Sequence, residues 1–356
     1  MSHRLTILGG AGFVGSSLAI ALKAANPTWE VCCFDNLRRR GSELNLPRLK
    51  EHGILFLHGD IRSGDDLDSV ALKEPETIVD CSAEPSVLAG ISSPRYVLDS
   101  NLVGTINVLE LARKLKAQFL FLSTSRVYSI PALKRLRLVE QNTRFSLAPE
   151  QSEPGASQAG VSEDFSIKEF RSLYGTSKLA SEMLIQEYRE AFGLKAIVNR
   201  CGVLTGPWQM GKVDQGVFVL WMAAHYFRRT LEYIGFGGTG KQVRDLLHID
   251  DLIDLVRLQL THFDAWNGEV FNVGGGVDCS LSLLEATALC QEFTGHSIPI
   301  RQTAQERPAD IPLFIMDNQK ISKRTGWRPT HTPGGTLEEI YRWIEDNEKQ
   351  LRSILS

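Results

Sequence analysis

The chain has 356 residues, 39 Lys plus Arg against 42 Asp plus Glu, a net charge of −3 and 43% hydrophobic residues. That length can bury a full core and points to about two globular domains. The near-neutral charge makes nucleic acid and anionic membrane surfaces unexpected as main partners.

Taken in order, Leu5–Leu8 is expected as a strand and Val14–Lys23 as the helix after it. Val31–Phe34, Leu55–Leu57, Ile78–Cys81 and Phe119–Leu122 are short apolar runs with strand character. Asn101–Lys116 has apolar residues at helical spacing (Leu102, Ile106, Leu109, Ala112). Alternating strands and helices imply a parallel sheet covered on both faces, wound right-handedly in both directions. From Ala132 to Ser166 the rhythm breaks into Pro149, Pro154, Gly155 and Gly160 among Ser and Gln. A long irregular excursion is expected there, of the lid or binding-loop kind. Leu173–Phe192 restores the helical pattern, and Ala196–Val198 is a buried strand. Beyond Cys201 a smaller mixed lobe is expected, with helices at Val217–Phe227, Leu281–Phe293 and Leu337–Leu351.

The six cysteines (Cys32, Cys33, Cys81, Cys201, Cys279, Cys290) include no C-x-x-C pair. Buried thiols in a reducing cytoplasm are therefore expected, with no metal site. Glycines interrupt the N-terminal apolar stretch, so no signal peptide is expected. The uncharged run near Val217–Tyr226 is far short of the roughly 20 residues of a membrane helix.

Gly9, Gly12 and Gly15 lie between the first strand and the first helix, with Phe13 and Val14 opening that helix. Glycines there permit a tight turn, and the helix N–H groups can hold a pyrophosphate. Asp35 ends the next strand, 20 residues after Gly15, where a carboxylate can accept both ribose hydroxyls. It would also repel a ribose phosphate, which favours NAD; Arg38, Arg39 and Arg40 keep NADP open. After the third strand, Gly59-Asp60-Ile61-Arg62 offers Asp60 either to an adenine amino group or as a helix N-cap.

Tyr174 and Lys178 stand four apart on one helical face. An ammonium beside a phenol favours the phenolate, which makes Tyr174 a usable base for an alcohol proton. Ser123, Thr124 and Ser125, just past a strand, are candidates for a hydroxyl that shares the substrate's hydrogen bond.

Together these residues resemble the extended short-chain dehydrogenase/reductase family, in particular its nucleotide-sugar epimerases and dehydratases. Asn101–Glu110, Gly240–Asp251, Phe271–Gly275 and Arg307–Asp310 extend the likeness over nearly the whole chain. It narrows to the CDP-tyvelose (CDP-paratose) 2-epimerase group on Phe34–Leu37, Gly59–Arg62, the insertion before Tyr174, Asp214-Gln215-Gly216 and Gly240–Asp245.

The resemblance implies an α/β fold: a doubly wound parallel sheet (Rossmann) with a smaller mixed C-terminal substrate lobe. An NAD-binding domain is expected over 1–200, with a return segment near 235–270, and a substrate-binding lobe over 201–356. Thr124, Tyr174 and Lys178 are the implied catalytic residues. The implied cofactor set is Gly9, Gly12, Phe13, Val14, Gly15, Asp35, Asn36, Asp60 and Ile61, joined by Tyr174 and Lys178. Arg244 and Arg307 are implied at a substrate diphosphate, where a guanidinium fork suits paired oxygens. His248 and Asp251 are expected to be structural.

The implied reaction inverts a ring carbon of a nucleotide-sugar, carbon 2 of a CDP-hexose, by transient oxidation with bound NAD. A 4-epimerase, a 4,6-dehydratase or a net dehydrogenase on the same scaffold is the alternative, and a non-enzymatic nucleotide-binding regulator the next. Asp80, Glu84, Val203 and Thr205 depart from the family pattern and are expected to reshape the sugar pocket. A homodimer is implied through helices Asn101–Lys116 and Leu173–Phe192.

Overall fold

Strand β1 (Arg4–Leu8) leads through a turn into α1 (Phe13–Ala25), and β2 (Glu30–Asp35) and β3 (Leu55–His58) follow. The computed structural model describes residues 3–211 and 215–356. Helix α2 (Gly64–Ala71), β4 (Thr77–Asp80), α3 (Gly104–Leu115), β5 (Gln118–Thr124), α4 (Leu173–Phe192) and β6 (Ala196–Cys201) complete the first series. Next come β7 (Val203–Thr205), α5 (Val217–Tyr226), β8 (Leu231–Ile234), β9 (Val243–His248), α6 (Ile249–Thr261) and β10 (Val270–Val273). The chain ends through β11 (Ser280–Ser282), α7 (Leu283–Thr294), β12 (Ile300–Thr303), β13 (Leu313–Phe314), α8 (Pro333–Asp346) and a last helix, Glu348–Leu355.

Two compact units result. The first holds residues 1–124, 172–200 and 253–270; the second holds 125–171, 201–252 and 271–356. The first is built on a seven-stranded sheet of order β10-β6-β5-β4-β1-β2-β3. The pairs β5–β4, β4–β1, β1–β2 and β2–β3 are parallel. Strand order reverses between β1 and β4, and in such sheets ligands bind beyond the carboxyl ends of the strands at that switch point. The expected doubly wound parallel sheet is the one observed.

Local chemistry explains the helices. α1 places Leu18, Ala19 and Leu22 in the core, and Asn26 stops it by donating its amide to the Leu22 carbonyl at 3.1 Å. Ser63 caps α2 and Ser172 caps α4, each accepting a backbone N–H at 3.2 Å; Gly193, at φ +68°, ends α4. The core of this unit packs Leu8, Phe34, Ile78, Val108, Phe119 and Val198, all nearly inaccessible. Each such side chain contributes roughly 1.5–3 kcal/mol on burial.

In the second unit β9 is central, parallel to β7 and β13 and antiparallel to β11. Strands β8 and β12 form a separate parallel pair. The segment expected to be one helix over Leu281–Phe293 begins with strand β11, because Ser282 caps α7 in a box with Glu285. The helix expected over Leu337–Leu351 is two helices that meet at Asn347.

The excursion expected to be irregular is ordered. Leu138–Glu140 pairs with Phe145–Leu147, and Ala156–Ser157 with Gly160–Val161. Backbone bonds from Phe145 to Lys241 and from Val161 to Ile315 pin both hairpins to the rest of the unit. Arg135 adds paired bonds to Glu153 and Glu169. Pro149, Pro154 and Gly155 lie in the stretch between the two hairpins, and Gly160 opens the last short strand. Asp214, which the sequence groups with Gln215 and Gly216, lies outside the described residues.

Candidate active site

The turn after β1 leaves no room for side chains. Gly9 has φ +68°, and a Cβ on Gly15 would lie 2.2 Å from the Gly9 carbonyl oxygen. Gly12 opens α1 without any side-chain cap, so no side chain competes for the first N–H groups of that helix. Phe13 and Val14 form its first turn, half-buried. Asp35, at the carboxyl end of β2, accepts the Ala11 N–H at 3.2 Å and the Leu37 N–H at 2.7 Å. Burial raises the Asp35 pKa above the usual carboxylate value, against these bonds. The glycine cradle, the open helix start and the anchored carboxylate fit a dinucleotide.

Asn36 and Asp60 are brought together: the Asn36 amide donates to Asp60 at 2.9 Å. The Arg62 guanidinium grips the same carboxylate at 2.9 and 2.6 Å. Burial works against ionisation here, yet these donors hold Asp60 down at about 2. The N-cap alternative for Asp60 is overturned, since Ser63 caps α2. Ile61 is buried against Gly104, and its carbonyl accepts the Asn107 amide at 2.9 Å. Arg38, one of the three arginines that kept NADP open, rests on the Tyr96 ring at 4.2 Å. Arg62 lies 5.2 Å from the same ring. Nothing in the sequence pattern points to Tyr96.

Tyr174 and Lys178 lie on the first turns of α4, 9% and 2% exposed. The Lys178 ammonium sits 4.0 Å from the centre of the Phe121 ring. Thr124 ends β5, also buried. Ser123 is already engaged, donating to Glu182 at 2.5 Å. Glu182 in turn pairs with Arg200 at 2.7 Å, deep in the unit. Neighbouring strand residues face opposite sides, so Ser123 and Thr124 point to opposite faces of the sheet. Ser125 begins a short turn in the second unit. The buried Glu182–Arg200 pair that occupies Ser123 was not visible in the sequence, because its two members are 18 residues apart.

The second unit encloses a cavity of about 500 Å³. Arg126, Arg229, Arg244, Arg301 and Arg307 line it, against the two carboxylates of Glu232 and Asp310. The two implied diphosphate residues, Arg244 and Arg307, are therefore brought to one cavity. Arg244 donates to Asp310 at 2.9 Å and to the Ile311 carbonyl at 2.8 Å. Burial lowers its pKa, opposed by Asp310. Arg126 reaches the Ala309 carbonyl at 3.4 Å, so Arg126 and Arg244 together hold the 307–311 turn. Arg126, Arg229 and Arg301 escape the sequence reading, because none stands in a motif. Five guanidinium groups and apolar walls suit a polyanion with a flat ring, such as a nucleoside diphosphate. Val203 also lines this cavity. Thr205 does not; it is buried and bonds to Gln209 at 3.1 Å. No described residue of the 132–166 excursion is among the lining.

Asp251 has the structural role expected of it, accepting the Thr330 hydroxyl at 2.7 Å and the His331 ring at 3.0 Å. Among the described residues, His248, His331 and Glu339 bring ligating atoms within 4.8 Å of one another. His248 Nδ1 accepts the Asp250 N–H at 3.2 Å, which leaves its proton on Nε2, facing Glu339. No described helix is long and apolar enough to cross a membrane.

Residues 5–274 match the model of the NAD dependent epimerase/dehydratase family. The chain is 31% identical over 348 residues to CDP-paratose 2-epimerase of Salmonella typhi, covering 96% of this chain and 98% of that protein. It is 26% identical to dTDP-glucose 4,6-dehydratase of Salmonella typhimurium, covering 99% and 96%. Its fold is similar to that of UDP-glucuronic acid 4-epimerase from Bacillus cereus, solved with UDP-glucuronic acid and NAD. The TM-score is 0.78 at 24% identity, with 96% of this chain and 99% of that one covered.

Proposed function

The chain belongs to the NAD dependent epimerase/dehydratase family, and on that premise we propose that it inverts one ring carbon of a nucleotide-sugar, carbon 2 of a CDP-hexose. Its cofactor is NAD. When bound, NAD supplies the acceptor and the donor of the hydride. The observation that carries the reading is Tyr174 and Lys178 one turn apart on α4 in the same unit as Thr124 at the end of β5.

Tyr174 takes the hydroxyl proton of the reacting carbon and later returns one. Thr124 holds the same oxygen with its hydroxyl. Lys178 supplies positive charge that favours the phenolate. The glycine turn, Phe13 and Val14 hold the pyrophosphate; Asp35, Asn36, Asp60 and Ile61 hold the adenosine end. Arg244 and Arg307 bind the substrate diphosphate, and the cavity between them and α5 receives the base.

Likeness to the CDP-paratose enzyme favours carbon 2 and a CDP-sugar. Elimination of water is disfavoured, because Ser125-Arg126 follows Thr124 where a dehydratase places an acidic pair. The exposed apolar residues Ile106 on α3 and Met183 on α4 support a homodimer through these helices.

The test is one incubation of purified protein with CDP-, UDP-, GDP- and dTDP-sugars in ordinary and deuterated water, read by NMR. Inversion at carbon 2 of a CDP-hexose without added NAD, and without solvent deuterium in the ring, is the expected result. Stoichiometric consumption of added NAD, or loss of water from the sugar, would overturn it.

A further inference from the structure

Asp80 closes β4 and is wholly buried, although a carboxylate is among the groups least tolerated there. Its Oδ1 accepts both the Ser82 N–H, at 2.9 Å, and the Ser82 hydroxyl. Its Oδ2 is buried without a hydrogen-bond partner in the chain. In the sheet Asp80 is in register with Phe121 of β5. Residues directly opposite in neighbouring strands share a face, so Asp80 and Phe121 lie on one side of the sheet. The Phe121 ring carries the Lys178 ammonium at 4.0 Å. The other register partner, Leu8, is apolar.

From this juxtaposition we propose that Asp80 is the counter-charge of Lys178, a positioning residue that keeps the lysine protonated beside Tyr174. It rests on the reading of Tyr174 and Lys178 given above and adds to it a residue outside the Tyr-x-x-x-Lys pattern. Two opposite charges buried together are retained together, whereas either alone would be driven neutral. Burial raises the Asp80 pKa, and the Lys178 ammonium and the Ser82 bonds oppose that rise.

Asp80→Asn is the decisive variant. Its Oδ1 can still accept both Ser82 bonds, so the strand end is preserved while the charge goes. Asp80→Ser removes the charge with a different shape and covers a folding failure of the first. NAD affinity of the purified proteins is measured by isothermal titration calorimetry between about pH 6.5 and about pH 9, without sugar. Wild type is expected to be flat across this range. Asp80→Asn should match it at the acid end and weaken about tenfold at the alkaline end, as Lys178 deprotonates. Lys178→Met should be weak throughout, and adding Asp80→Asn to it should change nothing further.

A pH-independent Asp80→Asn affinity equal to wild type would overturn the assignment. So would an additional loss on the Lys178→Met background, which would show a merely structural role. Normal turnover by Tyr174→Phe would instead sink the base assignment, and it leaves these binding curves as they are.

Discussion

Ser123 donates to Glu182 at 2.5 Å, and Glu182 is the buried partner of Arg200. The hydroxyl next to Thr124 in sequence is thereby committed to an ion pair in the core. Ser123→Ala should leave that buried carboxylate short of a donor and cost about 1–3 kcal/mol in denaturant unfolding. Its kcat should stay within a few-fold of wild type. Thr124→Ala should do the reverse, with little change in stability and a fall of about 100-fold or more in kcat. A catalytic collapse in Ser123→Ala with Thr124→Ala active would reverse the assignment.

Tyr174→Phe removes one oxygen from a residue on the first turn of α4. Positioned proton transfer contributes about 10²–10⁴-fold, and a loss of that size is expected with NAD affinity kept within a few-fold. Single-turnover kinetics on the NAD-loaded variant measure it, and near-normal activity refutes the role.

Arg244 lines the arginine cavity and is held by Asp310. Arg244→Ala should weaken nucleotide-sugar binding at least about tenfold, as loss of a charge-assisted bond does. NAD affinity should scarcely change. Calorimetry with each ligand separates the two, and equal losses argue against a diphosphate role.

Asp245 is buried among backbone donors from Gly276 and Met316. Burial, outweighing those bonds, pushes its pKa up to about 6. The folded chain therefore holds this proton more tightly than the unfolded chain, where the pKa is about 3.9. The resulting stabilisation is complete below that value and is lost as pH rises through about 6. Asp245→Asn does not titrate. Its stability relative to wild type should rise by about 2 kcal/mol between about pH 4 and about pH 7. Urea unfolding at both ends reads it; a constant difference between the two proteins would contradict the expectation.

Met183 on α4 is 63% exposed. Met183→Glu should convert a dimer to a monomer in sedimentation at micromolar concentration, with the fold retained by circular dichroism. A wild-type monomer under the same conditions removes the premise.

The sequence by itself determined the parallel sheet, the glycine turn, the anchoring carboxylate and the Tyr-x-x-x-Lys helix. Each is written within a few residues, in spacings that a strand, a tight turn or a single helical face imposes directly. The hairpins of 132–166 were hidden, because their strands are only two or three residues long and their turns carry neither Gly nor Pro. Tertiary structure alone decided that Ser123 serves Glu182, that Asn36 reaches across to Asp60, and that five arginines scattered from 126 to 307 share one cavity. It also placed Asp80 opposite Phe121. The choice between a core hydroxyl and a working one, or a buried charge and a solvated one, depends on neighbours from distant segments. Such contacts arise only once the sheet has brought those segments side by side.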